Sequence, residues 1–128
     1  MEYCFQKILD GNFDDVTAKV RDILKKEGFG ILTRIDVHEK FKEKLGIDFK
    51  KYVILGACNP KMAVRAIEAE ENIGVMLPCN VLVYEKDGKN VVAIIKPTAA
   101  MNMIDNDALR KVASEVEIAL KKVLDHIN

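Results

Sequence analysis

The sequence predicts a single α/β (α+β) domain over residues 1–128, built as one sheet with helices packed against it. Two observations carry this expectation. Strand-like and helix-like stretches interleave in the order β-α-β-(α)-β-α-β-β-α, and the long helical stretches are apolar along one stripe only, as suits helices that cover a sheet. No linker, low-complexity segment or strong internal repeat divides the chain. With 128 residues, 49% of them hydrophobic and 31% charged, a core can form without disulfide or metal staples.

The elements follow in order. "EYCFQKIL" alternates loosely and reads as the first strand. "GNFDDVTAKVRDILKKEGFG" is a helix: Val16, Val20, Ile23 and Leu24 form its stripe, acids open it, Lys25 and Lys26 close it, and Gly28 offers a left-handed stop. "GILTRIDV" is expected to place Ile31, Thr33, Ile35 and Val37 on one strand face, with Arg34, Asp36 and His38 on the other. "EKFKEKLG" suits a short helix in which Val37, Phe41 and Leu45 share a stripe. "YVILGA" is apolar on both faces, as an interior strand would be. "PKMAVRAIEAEENIG" is the second main helix, from Pro60 to about Asn72, with Gly74 turning the chain back. "NVLVYEKDGKNVVAIIKP" is a hairpin, because Asp87-Gly88 is favoured where both turn residues need positive φ. "PTAAMNMIDND" reads as a connector and cap that can line a pocket. The final helix carries Leu109, Val112, Val116, Leu120, Val123 and Ile127 opposite Lys111, Glu115 and Lys122.

Lys plus Arg and Asp plus Glu each number 20, so the formal net charge is zero. That argues against a nucleic-acid partner, whose binding rests on a basic surface that releases counterions. It also gives no electrostatic reason to sit on an anionic membrane, and no apolar run approaches the ~18 residues of a membrane span. Three cysteines, unpaired in spacing, fit reduced thiols in the cytoplasm better than a disulfide framework.

Two junctions stand out. In "LGACNPKMAVRAIE", proline drives Asn59 toward extended backbone, which suits an N-cap, and Pro60 fits the first helical position. Cys58 then sits just before the positive end of a helix, which favours a thiolate and can receive an anion. In "LPCNVLVYE", Pro78 is tolerated at a strand start, with Cys79 and Asn80 at its mouth. If the flanking strands are neighbours, the two thiols share one end of the sheet. Cysteine also behaves as a small hydrophobe, so each junction has a purely structural reading beside the chemical one. Cys4 lies mid-strand with no partner motif.

"GACNPKMAVRAIEAEENIGVMLPCNVLVYEKDG", together with "EGFGILTRIDVHEKFKEKLG" and "PTAAM", resembles the family catalogued as domain of unknown function 302, over nearly the whole chain. The resemblance implies a compact fold like that of the TATA-box-binding-protein group, with helices against a curved, largely antiparallel sheet. It also implies a homodimer. It implies no activity, and a fold shared with DNA-binding proteins carries no DNA binding. Its motif points to Cys58, Asn59, Pro60, Pro78, Cys79 and Asn80 as the ligand-binding site.

Other chemistry is weaker. Cys58 and Cys79 offer two soft ligands for zinc or copper, and His38 a third if its loop reaches them. Met62, Met76, Met101 and Met103 suit packing better than soft-metal binding. No phosphate loop, dinucleotide fingerprint or serine elbow is present, and no Cys-His pairing follows from local sequence. The expectation is therefore a small cytoplasmic protein that binds a small anionic or sulfur-containing ligand, with a thiol-redox or sulfur-carrier role. In it Cys58 is the thiolate, Asn59 and nearby backbone N–H groups are donors, and Cys79 is a second sulfur. The alternatives are a metal site through Cys58 and Cys79, or a structural homodimeric module.

Overall fold

The computed structural model describes residues 2–128. Strands β1 (Cys4–Leu9), β2 (Gly30–Asp36), β3 (Tyr52–Cys58), β4 (Cys79–Lys86) and β5 (Lys89–Ile95) form one curved antiparallel sheet in the order β1-β5-β4-β3-β2. The helices are α1 (Phe13–Lys26), α2 (Val37–Leu45), α3 (Pro60–Ala69), α4 (Pro97–Ala100) and α5 (Asp107–His126), with a 3-10 helix over Glu71–Met76. The expected element order is met, with β3 interior to the sheet.

Local chemistry accounts for most boundaries. Asn12 caps α1, its side-chain oxygen accepting from Asp14 N at 2.9 Å and Asp15 N at 3.1 Å. Gly28, at φ +88°, lets the chain turn so that Phe29 N–H returns to Leu24 O at 2.9 Å. Asp87 and Gly88 both take positive φ, 53° and 75°, as the hairpin turn requires. Asn106 caps α5 through Leu109 N at 3.0 Å.

The core lies on one face of the sheet. Val53, Leu55, Val81, Val83, Val92 and Ile94 point from it into α1 and α5, where Val20, Leu24, Leu120 and Val123 are fully buried. Each such side chain contributes about 1.5–3 kcal/mol by leaving water. A second cluster of Ala66, Ile73, Met101, Leu109, Val112 and Ala113 joins α3 and the 3-10 helix to α5. The Arg65–Glu115 ion pair links α3 to α5, and Glu117 accepts from Thr98 N (3.0 Å) and Thr98 Oγ1 (2.6 Å), pinning α4 to α5. The opposite sheet face carries Tyr52, Ile54, Leu82 and Tyr84, all partly exposed.

Three expectations change. A bulge between Ile31 and Thr33 shifts the register of β2 against β3. Ile31 pairs with Ala57 and packs on the core, whereas Thr33 and Ile35 pair with Gly56 and Ile54 on the opposite face, so the three do not share a side. Val37 and His38 lie in α2, not on a strand, and Leu45 of the expected α2 stripe is 66% exposed. The second main helix ends at Ala69 instead of near Asn72, because Asn106 Nδ2 donates to Ala69 O at 2.7 Å and the chain leaves helical geometry at Glu70.

Candidate functional site

The strand-to-helix junction forms as its residues dictate. Asn59 adopts extended backbone (φ −103°, ψ 105°), and its side-chain oxygen accepts from Met62 N at 3.4 Å. Its carbonyl accepts from Met62 N and Ala63 N at 3.1 and 2.9 Å, and Pro60 opens α3. The Asn59 amide group is aimed back at the α1–β2 turn: a Cβ at Gly28 would lie 3.1 Å from Asn59 Nδ2. Asn59 is thus occupied as a cap and a spacer.

The second junction meets the first because β3 and β4 are neighbours. Ala57 pairs with Cys79, which sets Cys79 diagonally beside Cys58 at one end of the sheet. The two thiols differ in environment. Cys58, at the last position of β3, is half-buried, and Cys79 is buried. Burial, and secondarily the neighbouring Cys58, pushes the Cys79 thiol up from 9.0 to about 11, so it stays protonated at neutral pH. None of Cys4, Cys58 and Cys79 takes part in a disulfide.

Cys58, Asn59 and Cys79 line a cavity of about 30 Å³ between the sheet end, α3 and α5. Its other walls are apolar: Phe29 and Ala57, then Met62, Ala63 and Ala66 of α3, with Leu109, Val112 and Ala113 of α5. Pro97 and Met101 close it from the α4 segment, so the expectation that this connector lines a pocket holds. Met62 and Met101, which the sequence assigns to packing, line the same cavity. Local sequence does not report this, because it follows from how α3 and the α4 segment pack on the sheet end.

The six motif residues do not all face this cavity. Asn80 pairs with Gly56 and shares the open sheet face with Leu82 and Tyr84, where it lines a separate groove of about 490 Å³. Pro78 packs over Gly56: a Cβ there would lie 2.7 Å from Pro78 Cγ. His38 does not join the cysteines at all. It sits at the far end of β3, where its Nδ1 accepts from Tyr52 N at 3.0 Å and its ring meets Phe13 edge-on. Among the described residues its close metal-capable neighbours are Asp36 and Glu39. The set Cys58, Cys79 and His38 is therefore not assembled within one chain.

Among the described residues, no helix is long and apolar enough to cross a membrane. No curated protein matches the chain. A solved structure, the crystal structure of uncharacterized conserved protein DUF302 from Bacillus stearothermophilus, is 32% identical, with each chain covered over 98% of its length and a TM-score of 0.91. The family described as Domain of unknown function DUF302 matches residues 5–127. The chain belongs to that family.

Proposed function

We propose that the cavity at the head of α3 is a soft-ligand site in which Cys58 captures a small thiophilic or sulfur-containing solute. The observation that carries this reading is the pairing of unlike thiols: half-buried Cys58 beside buried Cys79, on the wall of a cavity with almost no polar surface. Cys58 is the sulfur that solutes reach. Cys79 holds its proton and offers a neutral second sulfur behind it. This asymmetry favours exchange at Cys58 over an internal disulfide, which needs both thiols to be deprotonated in turn. In such an exchange the Cys58 thiolate attacks a disulfide or persulfide sulfur, a new S–S bond to Cys58 forms, and the displaced thiolate leaves and takes a proton from water.

The test is intact-mass analysis of the reduced protein after incubation with a small disulfide and, separately, with a persulfide donor. A single adduct mapping to Cys58, absent in Cys58→Ser and retained in Cys79→Ala, is expected. No adduct on native protein, or one that maps to Cys4, rejects the reading.

A second reading rests on the sheet. Among the described residues no helix covers the face bearing Tyr52, Ile54, Leu82 and Tyr84, all partly exposed, and a second copy of the chain packed there would make the homodimer that the family resemblance suggests. The two readings are compatible, since they use opposite faces.

A further inference from the structure

We infer that residues 97–104 form a strap over the cavity at the head of α3, with Met101 as the gate that admits a small uncharged solute. The strap gives the site proposed above its entrance, and rests on that reading for the solute. Two hollows lie against Met101. The inner one is the apolar cavity already described, and the outer one is a groove of about 170 Å³ between the strap and α5. Met101, Leu109 and Ala113 line both, so these three side chains are the partition between them. Leu109 and Ala113 are fixed within α5, whereas Met101 follows α4 and carries an unbranched side chain that turns about several bonds. The groove's remaining walls, Thr98, Asn102, Arg110 and Ser114, are polar, which suits a mouth facing water.

The strap is lightly tied. Among the described residues its backbone hydrogen bonds stay within the segment or reach its flanks: Ala99 N and Ala100 N donate to Lys96 O, Met101 N to Pro97 O, and Ile104 N to Met101 O. The hydrogen bonds that hold it to the body of the fold are the two that the half-buried Glu117 carboxylate accepts, from Thr98 N and Thr98 Oγ1. The rest of the hold is apolar, through Pro97, Met101 and Ile104. A segment with so few ties opens at a lower free energy than the elements around it. Both of its ends are anchored. Lys96 N donates to Tyr3 O at 2.9 Å, and Asn106 caps α5 while donating to Ala69 O. The strap therefore swings between two fixed points, with Glu117 as its latch. The solute class follows from the inner walls, which carry no charged side chain. An ion entering there would lose its hydration without gaining a partner.

Cys79 is the reporter, because it lines the inner cavity and is only 8% exposed. The reduced full chain is labelled under native conditions with neutral methyl methanethiosulfonate and, separately, with its charged sulfonatoethyl analogue, and adducts are mapped by peptide mass. The neutral reagent is expected to reach Cys79 and the charged one to spare it. Glu117→Ala should raise the Cys79 rate at least about tenfold, the worth of hydrogen bonds to a carboxylate. Thr98→Val should move it the same way by less, and Met101→Ala should raise it with the latch intact. Hydrogen exchange should show the amides of 99–104 opening together, ahead of those of α5, and sooner still in Glu117→Ala. Urea unfolding of each variant gives the rate that global unfolding alone would produce. Cys79 rates that track that global value, or that ignore Glu117 and Met101, overturn the strap, and equal labelling by the charged reagent overturns the solute class. An adduct at Cys58 alongside those outcomes would leave the soft-ligand reading standing without its gate. A Cys58 that takes no adduct while Cys79 answers to the latch would remove that reading and keep the strap.

Discussion

Gly56 lies directly beneath Pro78: a methyl group on its Cα would sit 2.7 Å from Pro78 Cγ, and 2.2 Å from Thr33 Oγ1 on the other side. Neither neighbour is a long flexible side chain that can swing away. The contact seats the segment leading into Cys79 against the strand that ends at Cys58, so the two junctions are held by the smallness of one residue. Gly56→Ala is expected to destabilise the fold by about 1–3 kcal/mol through overpacking, and to expose Cys79 to alkylation in native conditions. Urea unfolding with thiol-labelling mass spectrometry checks both. An alanine variant as stable and as protected as the parent would mean that Pro78 and Thr33 move aside freely.

The buried thiol should make stability fall in alkali. Burial, with Cys58 second, raises Cys79 from 9.0 to about 11 in the folded chain. The folded state therefore holds this proton more tightly than the unfolded state. Its contribution is complete below the unfolded value near pH 9 and is lost as pH climbs through about 11. The loss over that window is on the order of 2–3 kcal/mol. Lysines and tyrosines titrate there too, so the quantity to measure is the stability difference between wild type and Cys79→Ala at pH 8 and at pH 11. That difference should shrink at the higher pH. A difference that does not change would place Cys79 in contact with water.

How much of this was legible depends on whether the deciding contact is local. The Asp87-Gly88 turn, the Asn59 cap and the stripe of α5 are each determined within a few residues, and all form as expected. The end of α3 is set by Asn106, which donates to the Ala69 carbonyl from the far side of the chain, and no local pattern reports that. The bulge in β2 is equally silent, since "ILTRI" alternates well enough to be read straight through. For the site, the helix end was readable and the pairing of β3 with β4 was not. Once Ala57 faces Cys79, the period of two in a strand sends Asn80 to the other side of the sheet, and the Cys79-Asn80 dipeptide cannot act as one unit. The methionines were legible only as residue types, because tertiary packing alone puts Met62 and Met101 on the wall of the cavity that Cys58 and Cys79 also line.

His38 serves the backbone. Its Nδ1 accepts from Tyr52 N–H at 3.0 Å, which joins the start of α2 to the start of β3. Cys58 lies at the other end of that strand, roughly 20 Å away at ~3.3 Å per residue. His38→Ala leaves the Tyr52 donor without its partner and is expected to cost about 1–2 kcal/mol. Thiol exchange at Cys58 should stay at the wild-type level. Chemical denaturation and intact-mass analysis of the Cys58 adduct test the two halves separately. A histidine variant that keeps its stability and loses the adduct would restore His38 to the site, supplied across a dimer.

The open sheet face supplies the last expectation. Tyr52 and Tyr84 stack there with ring centroids 5.2 Å apart, Gln6 donates to the Tyr84 hydroxyl at 3.2 Å, and Lys50 lies 4.9 Å above the Tyr84 ring. Ile8 and Ile35 extend the apolar surface to the sheet's edges at 62% and 43% exposure. Five strands at ~4.8 Å spacing and ~7 residues of ~3.3 Å give a footprint of roughly 550 Å². Flanking side chains such as Tyr3 and Lys50 bring it toward the ~800 Å² per partner of a standard interface. Leu82 is near the centre, half-buried between Ile54 and Ala93. A Leu82→Glu chain carries a charge that a two-fold contact would set against its own copy, so it should elute as a monomer while the parent elutes as a dimer. Light scattering on both, with circular dichroism to confirm an intact fold, decides the matter. A parent that is monomeric at high concentration, or a variant that remains dimeric, would leave this face to a different partner.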